Sequence, residues 1–143
     1  MRGIVLDTNV ISEPKRPHPD PAVRRWFERQ DPDRLFLTTT VLCELAEGIE
    51  RMPVGRKRRS FEAWLEDLIE REFRGRILEL DVPAARLFGK LAASAWAQGR
   101  PPKPADVQIA AVAARNGHAV ATRDLTDFAP FGVPLIDPWA EEA

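Results

Sequence analysis

The feature that most constrains the fold is a short apolar run near the start of the chain, residues 3–6, which stops abruptly at Asp7. Its centre is the β-branched pair Ile4-Val5, and small polar residues follow the carboxylate. An apolar run of this length indicates a strand covered on both faces, as in a parallel sheet between helices. Because α/β folds bind ligands at the carboxyl ends of such strands, Asp7 is expected where the sheet meets solvent.

Further apolar runs predict the rest of the sheet. They lie at residues 35–37, 77–80, 119–121 and 133–136, and helical patterns separate them. Parallel strands require crossover helices, and the crossovers are almost always right-handed. The sequence therefore predicts an α/β fold, a three-layer α/β/α sandwich with a mostly parallel sheet of four or five strands. A chain of 143 residues is long enough for one core, so a single domain is expected over 1–143.

Helix signals support this alternation. Asp20 offers an N-cap oxygen and Pro21 a first helical residue, while threonines 38–40 lead into the next helix. A helix that is nearly apolar all round begins at Pro104 and is closed by Gly117, which predicts that it packs against the sheet.

Composition and cysteine content exclude several classes of protein. No apolar run is long enough to cross a bilayer, and no signal-peptide pattern precedes the first strand, so we expect a cytoplasmic protein. The single cysteine, Cys43, excludes an internal disulfide and a cysteine-based zinc cluster; we expect it to be buried and not a nucleophile. The net charge of −1 still permits a local basic surface for nucleic acid.

Four carboxylates end the predicted strands or begin the helices that follow them. They are Asp7, Glu44, Asp106 and Asp124. Strand carboxyl ends share one edge of a parallel sheet, so we expect these acids to converge on a single cleft. Clustered carboxylates repel one another and raise each other's pKa unless a cation lies among them. Hard oxygen ligands without histidine or thiolate favour Mg²⁺ or Mn²⁺, which activates water for phosphodiester hydrolysis.

Each acid taken alone also has an ordinary structural explanation. Asp7 is suited to capping a helix, Asp106 is favoured by a helix dipole, Glu44 suits a solvated helix face, and Asp124 suits a turn. The metal-site hypothesis therefore rests on the recurrence of acids at one end of the sheet.

The segments that carry these acids resemble PIN-domain nucleases, and within them the VapC toxins of bacterial toxin–antitoxin pairs, in particular the FitB-like branch. The matching segments are 6–13, Thr40 with Glu44, 105–113, 121–124 with Asp127, and 137–139. They cover essentially the whole chain, and their combination in this order is highly specific.

The resemblance implies a Mg²⁺- or Mn²⁺-dependent endoribonuclease that cleaves RNA. Asp7 and Asp106 would be direct metal ligands, while Glu44 and Asp124 would hold water or a second ion, and Thr8 or Thr122 would hydrogen-bond the site. Asp127 competes with Asp124 for the fourth position. The resemblance also implies a homodimer inhibited by a small antitoxin, whose own DNA-binding domain would provide the only link to DNA.

Two other Mg²⁺-dependent classes place acids at strand ends, but the sequence disfavours both. A phospho-acceptor receiver domain needs paired acids at the first strand and a lysine after the last, whereas here Asp7 stands alone and no suitable lysine follows Ala121. A haloacid-dehalogenase phosphatase needs a second aspartate two residues after the first, where this chain has Asn9. A catalytically weak binding module that acts with an antitoxin on operator DNA remains the alternative to the nuclease.

Several further features have two interpretations. The basic run 51–59 is either a solvated helix start or a contact for RNA phosphates. The apolar stripe from Phe61 to Leu68 predicts core, or in part an antitoxin groove. The tryptophans Trp26, Trp96 and Trp139 are interpreted as core or dimer contacts, and His18 and His118 as structural or exposed.

Overall fold

A five-stranded sheet forms the centre of the computed structural model, which describes residues 2–140. The strands are β1 (Ile4–Leu6), β2 (Leu35–Thr38), β3 (Ile77–Leu78), β4 (Ala119–Ala121) and β5 (Leu135–Ile136). Their order across the sheet is β3-β2-β1-β4-β5, and every neighbouring pair is parallel. The predicted α/β/α fold with a parallel sheet is confirmed.

Seven α-helices within residues 2–140 connect or follow the strands. They are α1 (Thr8–Ser12), α2 (Pro21–Glu28), α3 (Thr39–Glu50), α4 (Arg56–Asp67), α5 (Val82–Ala97), α6 (Pro104–Arg115) and α7 (Leu125–Phe128). The predicted caps form: the Asp20 side chain accepts a hydrogen bond from the Ala22 N–H, and the Thr38 hydroxyl accepts one from the Val41 N–H.

The outer strands are shorter than predicted, and one helix was missed. β3 stops at Leu78 because Glu79 and Leu80 are exposed and Asp81 already caps α5. β5 begins only at Leu135, since Pro134 has no N–H for a ladder. The missed helix, α7, has only four residues, too few to show a helical period.

The sheet places its topological switch beside β1. The chain runs from β1 through β2 to β3 at one side and then returns to β4 on the other side of β1. The register pairs Leu6 with Ala121, so β1 and β4 end level with each other. Ligand sites in open α/β sheets lie at this point, outside the carboxyl ends of the strands.

Packing closes the opposite, amino edge of the sheet. The Gly3 N–H donates to His118 Nδ1 at 3.0 Å, and the His118 ring stacks on Phe36 with centroids 4.5 Å apart. A Cβ on Gly3 would lie 2.5 Å from a Phe36 ring carbon, so any larger residue here would force the Phe36 ring to shift. His118 therefore has a structural role, as expected.

Candidate active site

Asp7 lies at the switch point and is fixed there by three hydrogen bonds. Its backbone N–H donates to the Ala121 carbonyl at 2.9 Å, which continues the β1–β4 ladder for one residue. Its carboxylate accepts from the Thr122 hydroxyl at 2.7 Å and from the Thr8 N–H at 2.8 Å, and the latter bond caps α1. The residue is only 4% exposed, so the side chain has almost no freedom to turn away from the edge.

Asp124 is linked to Asp7 through Thr122. The Thr122 hydroxyl, which donates to Asp7, accepts from the Asp124 N–H at 2.9 Å. The Asp124 carboxylate in turn accepts from the Asn9 side-chain amide at 3.2 Å. Asn9 thus ties the residues after β4 to the start of α1, and Asp124 itself is exposed to solvent.

Glu44 approaches the same edge from α3. Its carboxylate accepts a hydrogen bond from the Thr8 hydroxyl at 2.5 Å. Since the Thr8 N–H donates to Asp7, one residue of α1 contacts both carboxylates. Glu44 is exposed, in contrast to the buried Asp7.

Asp106 lies in the first turn of α6, at the wall of a cleft of about 240 Å³. Arg100, Lys103 and Asp127 line the same cleft, and three prolines complete its walls. The Lys103 ammonium pairs with the Asp127 carboxylate at 3.4 Å. The cleft is therefore open, polar and mixed in charge.

The carboxylates at this edge perturb one another. Burial raises the pKa of Asp7, and the negative charges of Glu44 and Asp124 raise it further, while the hydrogen bonds from Thr122 and Thr8 oppose the rise. Burial and the charge of Asp7 raise the pKa of Asp106 to about 6, against the opposing influence of Lys103. The pKa of Lys103 is raised by the charge of Asp127. Carboxylates clustered in this way repel one another when all are ionised, and a bound cation would relieve that repulsion. This side of the sheet, with Asp7, Glu44, Asp106 and Asp124, is called the acid edge below.

The structure thus brings all four predicted acids to one edge of the sheet. Within residues 2–140, however, no group of three or more His, Cys, Asp or Glu side chains is arranged to hold a metal ion by itself. Asp127 lies at the same edge, in the cleft with Asp106, whereas Asp124 is joined to Asp7 through Thr122. Both candidates for the fourth position are therefore close to the other acids.

Sequence reasoning missed two polar residues of this edge and misplaced Cys43. Nothing in the sequence singled out Asn9 as a partner of Asp124 or Lys103 as a partner of Asp127, because both contacts join distant segments.

The expectation that Cys43 is buried is wrong, since it lies on the exposed face of α3. Trp26 is core and Trp139 packs against the core, whereas Trp96 is 63% exposed.

Comparisons with known proteins agree on one family. The family model for the PIN domain matches residues 4–129. VapC ribonuclease Y4jK of Sinorhizobium fredii is 40% identical over 136 residues, which is 95% of this chain and 97% of that protein. Toxin FitB of Neisseria gonorrhoeae is 36% identical over 95% of this chain and 98% of its own length. A solved structure of FitAB bound to an IR36 DNA fragment matches with a TM-score of 0.91 at 34% identity, covering 98% of each chain.

Proposed function

The chain belongs to the PIN domain family, in the group that contains the VapC and FitB toxins, and on that premise we propose that it is a toxin of a toxin–antitoxin pair that hydrolyses RNA with a divalent metal ion. The observation that carries the proposal is the buried Asp7 at the switch point, with three further acids directed to the same edge. The proposal includes a single PIN domain over residues 1–143 and action in the cytoplasm. No helix within residues 2–140 is long and apolar enough to span a membrane.

The donor set fits Mg²⁺ or Mn²⁺. All candidate ligands are carboxylate oxygens, which hard divalent ions prefer. Mg²⁺ usually takes one or two direct carboxylates and keeps several waters, so it does not need three side chains gathered at one point. Asp7 and Asp106 would be the direct ligands, and Glu44 and Asp124 would hold bound waters or a second ion. The raised pKa values of Asp7 and Asp106 support this assignment, because a cation would relieve their mutual repulsion.

A bound divalent ion would supply an activated water and neutralise charge on the phosphoryl oxygens. The protein's own contribution is orientation. Thr122 fixes one oxygen of Asp7 and the Thr8 N–H fixes the other, so the carboxylate presents a constant direction to the edge. Partners that orient ligands in this way typically contribute 10- to 100-fold in metal affinity or activity.

The partners follow from the family. We propose a small cognate antitoxin that covers the acid edge, contact with DNA only through that antitoxin, and a homodimer. That the FitAB structure was solved on a DNA fragment supports an assembly that binds DNA. Trp96, near the end of α5, is 63% exposed, and we assign the dimer contact to the surface around it because aromatic side chains are enriched at interfaces.

The test is cleavage of RNA by purified protein in Mg²⁺ or Mn²⁺, with an EDTA control. Asp7→Asn and Asp106→Asn should each lower the cleavage rate by about 10²- to 10³-fold, the usual cost of losing a key electrostatic group. Asp33→Asn is the matched control, because Asp33 is an exposed acid next to β2 at the opposite edge of the sheet. Circular dichroism should show all three variants folded. Metal-dependent cleavage by both site variants at the wild-type rate would refute the site assignment.

A second candidate is a catalytically weak module that binds an antitoxin on operator DNA. The DNA-bound state of the FitAB structure is the observation that favours it. The same assay separates the two, because a binding module would cleave no RNA at any metal concentration while still binding its antitoxin.

A further inference from the structure

A second cleft, of about 270 Å³, begins at the acid edge and leads away from it between α1, α3 and α4. Thr8 and Glu44 line its inner end, and Phe61 and Trp64 of α4 line its outer end. Gly48 of α3 contributes no side chain to the cleft, and a Cβ there would meet no atom within 4 Å. The cleft therefore reaches Glu44, one of the four proposed site carboxylates, and is open at Gly48.

The outer end of this cleft combines aromatic rings with cations. Phe61 is half-buried, and its ring meets that of Trp64 edge to face at 5.9 Å. The Lys15 ammonium lies 5.0 Å from the Phe61 centroid and 3.5 Å from the Ser60 hydroxyl, so it crosses from the segment after α1 to α4. Lys57 precedes Phe61 by four residues and lies on the same face of α4.

The cations at the start of α4 differ in how far they are neutralised. Arg58 pairs with Glu50 and Glu62, and is the least exposed of this group. Arg56, Lys57 and Arg59 form no ion pair within residues 2–140, and all three are exposed in the first turn of the helix. The start of α4 therefore presents unpaired positive charge next to the aromatic end of the cleft. The partial positive charge at the N-terminus of the helix dipole makes the electrostatic potential there more positive.

We propose that this cleft holds the single-stranded RNA that flanks the scissile bond, with one base on Phe61 and backbone phosphates at Lys15 and Lys57. The inference rests on the proposed function and adds the path of its substrate. Proteins that bind single strands combine positive charge along the backbone path with aromatic side chains on which bases stack. Here Phe61 and Trp64 line the cleft, Lys15 lies at the Phe61 ring, and Lys57 lies one helical turn before Phe61. Lys15 and the unpaired cations at the start of α4 favour RNA over an apolar peptide, because positive charge there attracts backbone phosphates.

The first test measures binding of a fluorescent 12-nucleotide RNA in EDTA, by anisotropy at several salt concentrations. Each phosphate contact to a single strand contributes about 0.7 to the slope of log affinity against log salt. Lys15→Gln with Lys57→Gln should therefore lower the magnitude of that slope by about 1.4. The matched control is Arg24→Gln with Arg74→Gln, which removes two exposed cations on α2 and on the turn before β3, segments that contribute no residue to the cleft, and should leave the slope unchanged.

The second test addresses the base on Phe61. Phe61→Leu should weaken binding by about 5- to 150-fold at every salt concentration without changing the slope, since stacking is worth 1–3 kcal/mol per base. Phe61→Trp should restore the affinity, because it retains an aromatic face. Restoration by tryptophan distinguishes stacking from a general loss of packing.

Cleavage kinetics complete the test. With a long RNA and Mg²⁺, the double lysine variant should raise KM and leave kcat within about twofold. An unchanged salt slope and an unchanged KM would overturn the proposed path, whether or not antitoxin binding is altered. Asp7→Asn separates this outcome from failure of the proposed function, because that variant should bind the RNA oligonucleotide normally and not cut it.

Discussion

The amino ends and the carboxyl ends of the strands, here the amino edge and the carboxyl edge of the sheet, have opposite effects on the stability of the fold. At the amino edge, Gly3, Phe36 and His118 close the fold by close packing, ring stacking and one hydrogen bond. At the carboxyl edge, Asp7 is buried and Asp106 is half-buried, and both have raised pKa values. The amino edge contributes stability, whereas the buried and mutually repelling carboxylates of the carboxyl edge oppose it. The difference teaches that packing elsewhere in the molecule offsets the cost of the acid edge.

Parallel topology explains why the two edges differ. All five strands point the same way, so every strand delivers the residue after its carboxyl end to one side. The β1–β4 pair ends level, which places Asp7 beside Thr122 in the middle of the sheet. The amino ends need only to be covered, so the side chains there are free to pack.

The largest expected effect in this comparison concerns Thr122. Replacing it by valine preserves its shape and removes the hydroxyl that donates to Asp7 and accepts from Asp124. Affinity for Mn²⁺, measured by isothermal titration, should fall by about 10- to 100-fold because Asp7 is no longer oriented.

Thr40→Val is the control for that variant. Thr40 is also buried, but its hydroxyl donates to Gln108 and touches no carboxylate. Thr40→Val should lose about 1 kcal/mol for its one hydrogen bond, whereas Thr122→Val loses two, and it should keep the wild-type metal affinity. Equal metal affinities in the two variants would show that Thr122 does not orient the site.

The next largest expected effect is a loss of stability from a substitution at the amino edge. Gly3→Ala forces a Cβ against Phe36, and overpacking of this kind costs about 1–3 kcal/mol in the free energy of unfolding. Urea unfolding should show the loss, while RNA cleavage per folded molecule stays at the wild-type value.

Gly89→Ala provides the contrast. Gly89 lies inside α5 with no atom near its Cβ position, so this substitution should stabilise the protein by about 0.5–1 kcal/mol. A neutral Gly3→Ala would mean that the amino edge is not closely packed.

The smallest effect is the pH dependence of stability without metal. The pKa of Asp106 is about 6 in the folded protein against an ordinary value of 3.8, so the folded state holds its proton longer than the unfolded chain. Stability should therefore fall as pH rises from about 4 to about 6 and stay level above that window. Because Asp106 is only half-buried and solvent screens its charge, we expect a reduced contribution of about 1 kcal/mol, which for a chain of this size is about 2–5 °C in Tm.

Asp106→Asn should reduce this fall in stability between about pH 4 and about pH 6, and Asp33→Asn should leave the fall unchanged. Differential scanning calorimetry in EDTA between pH 4 and pH 7 measures all three proteins. A wild-type profile that rises over this range relative to Asp106→Asn would reverse the sign of the argument and show that the carboxyl edge does not oppose folding.

Much of the architecture could be predicted because local signals were strong. The apolar runs that became β1, β2 and β4 are continuous and flanked by clear caps, so their positions were correct. β3 and β5 were overextended, because Leu80 and Val133 look like strand residues while hydrogen bonding at the sheet margin stops short of them. Helix α7 has no period to detect, and it is held by the fully buried Phe128.

The candidate site was accessible to sequence reasoning only in part. The placement of acids at strand ends follows from chain order, so Asp7, Glu44, Asp106 and Asp124 could be named together. Burial of individual side chains could not be read in the same way: Cys43 and Trp96 are apolar in type yet exposed, because α3 and α5 turn those positions to the surface. The pairing of Lys103 with Asp127 also depends on two segments that are distant in sequence.

The sequence by itself determined the alternation of strands and helices, and with it the edge at which the acids collect. Only the tertiary structure decided that Asp7 is buried and held by Thr122 while Glu44 and Asp124 remain in solvent. The physical reason is that chain order sets the side of the sheet that a residue reaches. Desolvation and hydrogen bonding instead depend on which distant segments pack against it.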